Sequence, residues 1–170
     1  MERVEKLLSL PLYQEYLARN AEKEVDRKFC VHNWQHFLDV ARLTYILLLE
    51  SDEQDKLREE IGTKTKEIAY AAALLHDIGK WQEYETGEDH ALVSAKLARA
   101  LLLEVDFTSG EIDLICQAIE EHRTASVPQT ILGSHLKKAD KLARLCRFCS
   151  AQGDCYKFQQ METAHCYLVY

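Results

Sequence analysis

The stretch that decides the fold runs from Ala69 to Lys80 and reads AYAAALLHDIGK. Its first part is almost entirely apolar, which predicts a helix that other helices cover on several sides. His76 and Asp77 follow this apolar part directly and stand next to each other in the sequence. Adjacent residues on a regular helix diverge by about 100°, so both side chains can hold one cation only where the helix ends. Gly79 indicates that end, because glycine is common just past a helix C-terminus, and the stretch therefore predicts a metal site.

Length and composition favour a helical globular protein. The chain has 170 residues, of which 47% are hydrophobic and 29% charged, enough to bury a full core without disulfides. It contains only two prolines and six glycines and few β-branched runs, which predicts an all-α fold. We expect one domain over residues 1–170. It would hold a bundle of about six to seven helices, with a helical core from about 30 to 147 and a short, Cys-rich, irregular or extended C-terminal arm over 148–170.

Charge and targeting signals limit the partners. The formal net charge of −7 argues against a protein that binds long nucleic acid or a membrane surface, because phosphates need a basic excess. The net charge does not exclude a small phosphorylated substrate, because such a substrate needs only local positive charge. The N-terminal segment carries charges throughout, without the apolar core of an export signal, and no stretch approaches the roughly 18 apolar residues of a membrane span. Six cysteines in such a chain indicate reduced thiols or metal ligands, so we expect a cytoplasmic protein.

The spacing of apolar residues places histidines on inward helix faces. A helix predicted over about 33–50 carries His36 on the face that also has apolar residues four, seven and eleven positions later. His90 begins a second such helix. The polar segment over 51–66 is predicted as a solvated helix end and loop, and the segment over 81–89 as a loop that borders the site. Both histidines are therefore candidates for a buried site.

Two later helices bring further polar residues inward. A capping box that starts at Thr108 opens a helix ending near His122, which shares a stripe with three isoleucines. After a break at Pro128, another helix is predicted over about 131–148 and places Asp140 on its inward face. An aspartate on an apolar face needs a partner, because burying its charge alone is costly.

Four histidines and two aspartates therefore point inward on different helices. Each alone has an ordinary explanation, since a single buried histidine is more often a hydrogen-bonded core residue than a ligand. Together they would repel one another when protonated and lack solvation, and a divalent cation resolves both problems. Mixed imidazole and carboxylate ligands suit iron, manganese, nickel, cobalt or zinc better than calcium. The candidate metal ligands are His36, His76, Asp77, His90, His122 and Asp140.

Three strings, HFLDVARL, LLHDIGK and KKADKLARL, resemble motifs of the HD superfamily of metal-dependent phosphohydrolases. The resemblance covers residues from about 30 to 147 and implies an HD-domain helical bundle. It implies a first metal held by His36, His76, Asp77 and Asp140. His90 and His122 match the subset with two metals, in which the aspartate of the His-Asp pair bridges both ions. Small bacterial diadenosine tetraphosphate hydrolases are similar members of that subset.

The resemblance implies a hydrolase in which a metal-bound hydroxide cleaves a phosphoester or phosphoanhydride bond, with a nucleotide as the expected substrate. Asp77 is then catalytic as well as a ligand. Lys80 and Arg123 are candidate catalytic residues that contact the substrate phosphate, although both would also suit a solvated surface. His32 is expected to line the pocket or to support the metal ligands.

Two alternatives share the same ligand set. Some HD-domain proteins are mixed-valent di-iron oxygenases, and motif spacing does not separate them from the hydrolases. A catalytically inactive HD module that binds a nucleotide or a partner is the other alternative, but an inactive site should have lost some of its ligands. The sequence also leaves open whether the chain forms a homodimer.

The cysteines form a separate pattern. Cys146, Cys149 and Cys155 are spaced C-x2-C-x5-C, and the first pair has a spacing used by zinc and iron–sulfur ligands. The segment also resembles a group of uncharacterised bacterial HD-domain proteins with a Cys-rich C-terminal segment. Without a metal, the thiols would pack on the last helical turn. Cys30 and Cys116 are expected to be core thiols.

Overall fold

The computed structural model describes residues 1–123, 130–168 and 170, and across these residues the chain is helical without a β-strand. The all-α prediction is therefore confirmed. No helix in this part of the chain is long and apolar enough to cross a membrane. The break predicted at Pro128 lies outside the described residues. The α-helices are α1 (Glu2–Ser9), α2 (Pro11–Lys23), α3 (Trp34–Leu49), α4 (Gln54–Ile61), α5 (Thr65–Leu75), α6 (Lys80–Thr86), α7 (His90–Glu104), α8 (Ser109–Glu121), α9 (Ile131–Leu142) and α10 (Glu162–His165).

The C-terminal arm is irregular, as predicted. α9 ends at Leu142 and not near residue 148, because the backbone of Leu145, with φ of −77° and ψ of 62°, has left the helical region. Before the one-turn helix α10, the arm makes the short 3-10 turns Cys146–Phe148, Gln152–Asp154 and Phe158–Gln160.

Two segments that were predicted wholly or partly as loops contain helices. α4 buries Leu57 and Ile61, which are four residues apart, so its polar sequence contains a narrow apolar stripe. α6 begins directly after Gly79 and ends at Gly87, whose backbone is left-handed with φ of 77°. The loop predicted over 81–89 is wrong up to residue 86, and the helix end and loop predicted over 51–66 missed the separate helix α4. Tertiary packing stabilises short helices that polar composition does not predict.

α5 is the central helix of the fold. Every residue from Ala71 to Leu75 is buried, and α1, α3, α7, α8 and α9 all pack against this helix. Three consecutive alanines lack bulk, so the neighbouring helices can approach closely. The helix ends at Leu75, and the buried His76 and Asp77 follow at once. The end of α5 is therefore the point where the surrounding helices converge.

Gly79 allows α7 to pack against the turn that follows α5. A Cβ atom at this position would lie 2.6 Å from Val93 Cγ1 and 2.8 Å from the backbone nitrogen of Ser94. The φ of Gly79 is −92°, which suits any residue, so close approach and not backbone conformation requires glycine here. The Gly79 N–H also donates to Ser94 Oγ at 3.0 Å. This contact places α7, which begins at His90, beside Asp77.

An ion cluster ties the N-terminal helix to the rest of the fold. The largely buried Arg3 guanidinium donates to both carboxylate oxygens of Glu111, at 2.6 and 3.0 Å. It also donates twice to Glu67, at 2.9 and 2.7 Å, and lies 4.0 Å from the centroid of the Phe107 ring. Glu111 completes the capping box of α8 with Thr108, which confirms that prediction. One guanidinium therefore joins α1, α5 and α8.

The substitution Glu111→Gln tests this cluster, since glutamine keeps the capping box and removes the charge. The hydrogen bond from Arg3 lowers the pKa of Glu111 from 4.5 to about 2. Because the folded pKa lies below the unfolded one, this stabilisation is present above pH 4.5 and is lost as the pH falls towards 2. We expect the variant to lose about 1–3 kcal/mol of unfolding free energy at neutral pH and to show a weaker acid dependence in that window.

Urea unfolding at a series of pH values measures both effects. Glu5→Gln, an exposed position on α1, is the matched control. Equal stability of the Glu111 variant and the parent protein at neutral pH would contradict the assignment.

Candidate metal centre

The buried side chain of Asp77 lies where two groups of metal-binding atoms meet. Within each group, all the ligand atoms lie within 4.8 Å of one another. The first group consists of His36, His76, Asp77 and Asp140. The second group consists of Asp77, His90 and His122. The structure therefore brings together all six of the candidate ligands that the sequence indicated, from five separate parts of the chain.

The two oxygens of Asp77 face different groups. Oδ2 lies 3.1 Å from His76 Nε2 and 3.9 Å from His36 Nε2, and Oδ1 lies 2.9 Å from His90 Nε2 and 3.7 Å from His122 Nε2. One carboxylate that presents its oxygens to two separate sets of donors is the arrangement of a bridging ligand.

Asp140 completes the first group from α9. Its Oδ1 lies 3.2 Å from His36 Nε2 and 3.8 Å from His76 Nε2. The same oxygen accepts a hydrogen bond from Arg144 at 2.8 Å, one turn further along the chain. Arg144 therefore fixes the carboxylate in the position where it faces the two histidines.

Several atoms of the centre are buried and make no hydrogen bond to the described residues. His36 Nε2, His76 Nε2 and Asp77 Oδ1 are sealed from solvent and make no hydrogen bond to any of the described residues. A buried polar atom left in this way costs about 1–3 kcal/mol. A divalent cation between such atoms gives each of them a bond, and imidazole together with carboxylate suits manganese, iron, cobalt, nickel or zinc. The side chains therefore fit a pair of divalent transition-metal ions.

The charges of the centre favour cation binding. Burial alone would lower the pKa of His76, but the carboxylates of Asp77 and Asp140 raise it to about 10. Burial also opposes ionisation of Asp77, yet the nearby His76 and His32 hold the pKa of its carboxyl well below the usual range. Burial lowers the pKa of His122 to about 4. At neutral pH Asp77 is thus ionised and His122 neutral, which are the forms that coordinate a metal, whereas His76 is protonated and must lose a proton to coordinate an ion.

Helix ends orient two of the histidines. His76 Nδ1 donates to the carbonyl of Ala73 at 2.7 Å, and His122 Nδ1 donates to the carbonyl of Ile119 at 2.5 Å. Both carbonyls belong to the last turn of a helix, where backbone acceptors have no partner within the helix. With Nδ1 occupied, each ring presents Nε2 to Asp77, as metal-binding histidines commonly do.

Glu83 on α6 orients a third histidine and was not found from the sequence. His90 Nδ1 lies 2.6 Å from Glu83 Oε2. The same carboxylate binds Lys80 and accepts from Arg123 Nη1 at 2.9 Å. Burial favours the neutral form of Glu83, but Lys80 and His90 lower its pKa to about 2. Glu83 lies beside Lys80 only because α6 is a helix, in which residues three apart share a face.

The two cations proposed to bind phosphate therefore lie at the edge of the centre. Lys80 is buried, with Nζ 3.1 Å from His90 Nδ1. The Arg123 side chain is 44% exposed and reaches the same histidine, with Nη1 2.9 Å from Nδ1. Both are paired with Glu83, so neither is the free surface cation that the sequence left open.

The second helix supports the turn that carries the ligands. Asn20, which is fully buried, donates from Nδ2 to the carbonyl of Asp77 at 2.8 Å and accepts from the Trp81 N–H at 2.7 Å. Two turns earlier on α2, Tyr13 donates its hydroxyl to the carbonyl of Leu74 at 3.1 Å. These bonds from α2 hold both sides of the His-Asp turn.

The cysteines take no part in the centre. Among the described residues, the sulfur atoms of Cys146, Cys149 and Cys155 do not join any group of three ligand atoms within 4.8 Å. The structure therefore does not assemble the zinc or iron–sulfur site predicted for them. Cys116 is buried and donates to the carbonyl of Ala95, as expected of a core thiol. Cys30 is exposed, so the core position predicted for it is wrong.

Comparison with known families agrees with this geometry. A family model described as HD domain matches residues 33–145, which is more than half of the chain. The chain therefore belongs to the HD domain family, within the superfamily of metal-dependent phosphohydrolases. No solved structure matches the chain significantly.

Individual relatives extend the comparison. An uncharacterised protein of Clostridium beijerinckii is 39% identical over 155 residues, which cover 91% of this chain and 92% of the relative. Ribonuclease Y of Geobacter metallireducens is 34% identical over 110 residues, covering 65% of this chain and 18% of the relative. A bifunctional uridylyltransferase/uridylyl-removing enzyme of Bradyrhizobium diazoefficiens is 37% identical over 70 residues, covering 41% of this chain and 7% of the relative. The chain thus spans only a small part of these two longer relatives.

Two substitutions test the shared ligand. His122→Asn keeps an amide near the position of Nδ1 and removes Nε2, so we expect it to lose only the ion of the second group. Asp77→Asn removes charge from both groups, so we expect it to bind neither ion tightly. The parent protein should take up about two equivalents of Mn²⁺, measured by dialysis and elemental analysis. Asp113→Asn, on the exposed face of α8, is the control, and an unchanged stoichiometry in the Asp77 variant would refute the bridging role.

Proposed function

We propose that the protein hydrolyses a phosphoester or phosphoanhydride bond in a small nucleotide. The observation that carries the proposal is the Asp77 carboxylate, whose two oxygens face two separate ligand groups. A pair of divalent ions held there would supply Lewis-acid charge and a water molecule activated for attack on phosphorus. Two of the relatives are named a ribonuclease and a uridylyl-removing enzyme, and these names also support chemistry at nucleotide phosphates.

The chain itself supplies the contacts that hold the phosphate. Arg123 is part exposed at the edge of the centre, and a guanidinium binds two oxygens of a phosphoryl group at once. Lys80 adds a compact positive charge on the same side of Asp77. Glu83 holds both cations in place, and an entering phosphate would compete with this carboxylate for Arg123.

The charge of the whole chain favours a small substrate. With a net charge of −7, the protein offers no basic excess with which to neutralise a long phosphate backbone. Two cations and a metal pair are enough for one phosphoryl group or a short polyphosphate. A nucleotide therefore fits the site better than RNA does, although one relative is named a ribonuclease.

The activity test loads the protein with Mn²⁺ or Fe²⁺ and screens a panel of nucleotides for release of phosphate or of a smaller nucleotide. We expect turnover by the parent protein and none by the double variant His76→Ala, Asp77→Ala. His165→Ala, an exposed position in the arm, serves as the control. Persistent turnover in the double variant would rule out this mechanism. Oxygen consumption by the iron-loaded protein, with a mixed-valence paramagnetic signal, would instead support the oxygenase alternative.

Arg123→Ala tests the phosphate contact once a substrate is known. Loss of the guanidinium removes a bidentate contact, so we expect KM to rise about tenfold or more, with a smaller change in kcat. Mn²⁺ stoichiometry should not change, because Arg123 belongs to neither ligand group. Arg99→Ala, which removes an exposed arginine paired with Asp113, should leave KM unchanged. An unaltered KM in the Arg123 variant would show that this residue does not touch the substrate.

A further inference from the structure

A second acid–histidine pair lies beside the metal centre, outside the six ligands. The side chains of Glu24 and His32 are 4% and 5% exposed. His32 Nδ1 lies 2.5 Å from Glu24 Oε1, and the backbone N–H of His32 donates to Glu24 Oε2 at 2.6 Å. The Tyr84 hydroxyl donates to Glu24 Oε1 at 2.6 Å. Three contacts therefore hold the carboxylate, and the carboxylate fixes the orientation of the ring.

The free nitrogen of this ring faces the centre. His32 Nε2 lies 3.5 Å from Asp77 Oδ2 and makes no hydrogen bond to any of the described residues. With Nδ1 held by Glu24, the second ring nitrogen is directed at Asp77 and at the two groups of candidate ligands that meet there.

His32 stands outside the ligand cage. It belongs to neither group whose atoms lie within 4.8 Å of one another, whereas two nitrogens bound to one ion at about 2.1 Å each lie at most about 4.2 Å apart. Its Nε2 is therefore placed to touch what the ions bind and not the ions themselves.

We propose that His32 contacts a phosphoryl oxygen of the substrate at the metal centre, and that Glu24 is the residue that positions it. This inference rests on the proposed phosphohydrolase function. His32 lies on the Oδ2 side of Asp77, whereas Lys80 and Arg123 lie beside His90 on the Oδ1 side. The phosphoryl group is thus held from both sides of the bridging carboxylate. Glu24 and His32 both precede residue 33, where the match to the HD domain begins, and neither is one of the six candidate ligands.

Two substitutions of His32 separate the roles of its two ring nitrogens, Nδ1 and Nε2. His32→Asn places an amide near the position of Nδ1, which keeps the bond to Glu24 and removes Nε2. His32→Gln places an amide near the position of Nε2, which keeps the reach towards the centre. Because the asparagine variant leaves no buried carboxylate unpaired, it should fold, and circular dichroism with a melting curve checks this.

The experiment measures binding of Mn²⁺, and then of inorganic phosphate to the Mn²⁺-loaded protein, by isothermal titration calorimetry. We expect all variants to bind Mn²⁺ with the parent stoichiometry. The asparagine variant should lose about tenfold or more in phosphate affinity, the scale of one hydrogen bond to a charged group, and the glutamine variant should lose distinctly less. Glu24→Gln should also weaken phosphate binding, but it should add no further loss to the asparagine variant, because the two residues act as one unit. The controls are Glu22→Gln, at an exposed position on α2, and His165→Asn.

Unchanged phosphate affinity in the asparagine variant would overturn the proposal, as would a loss of Mn²⁺ stoichiometry, which would make His32 a ligand or a purely structural residue. If phosphate binds through His32 but the parent protein cleaves no nucleotide, the result supports the His32 contact and contradicts the proposed function. If the parent protein cleaves a nucleotide and the asparagine variant binds phosphate normally, the result contradicts the His32 contact and supports the proposed function.

Discussion

The structure depends on one buried negative charge, the carboxylate of Asp77. A charge that is 2% exposed is tolerated only when it is paired, and the fold meets this requirement by bringing four histidine rings around the carboxylate. The alanines of α5 let its neighbours approach, and Gly79 lets α7 approach further. Asn20 holds the backbone of Asp77 itself. Features that look like ordinary packing therefore serve to surround one side chain.

Asp77 also divides the centre into two halves that are built alike. On the Oδ2 side, Glu24 orients His32, and on the Oδ1 side, Glu83 orients His90. α6 contributes to both halves, because Tyr84 donates to Glu24 while the adjacent residue is Glu83 itself. This short helix therefore couples the two sides, and its position at the end of the His-Asp turn explains why the segment is helical although its composition is polar.

The sequence indicated the six candidate ligands that the structure brings together, but it did not indicate the residues that support them, for a physical reason. Ligands such as His36 and Asp140 lie on helix faces whose apolar spacing is visible in the sequence, and the strings around them resemble a known family. Glu24, Asn20 and Glu83 carry no such local signal, since polar residues on short or partly exposed helices look like solvated ones. Their roles exist only because α2 and α6 meet beside the turn, and this contact is a property of the tertiary fold.

The candidate ligands and the residues that support them also lie in different parts of the chain. Residues 33–145 match the HD domain and contain all six candidate ligands, whereas Tyr13, Asn20, Glu24 and His32 come before residue 33. Two of these four hold backbone carbonyls of the His-Asp turn, and the other two form the acid–histidine pair beside Asp77. The six candidate ligands would determine where ions bind, and the hydrolase and the oxygenase alternatives share them. Side chains outside this set would surround a phosphate bound as proposed, so we expect the selectivity of this chain to depend on its first 32 residues and on α6 more than on the metal ligands.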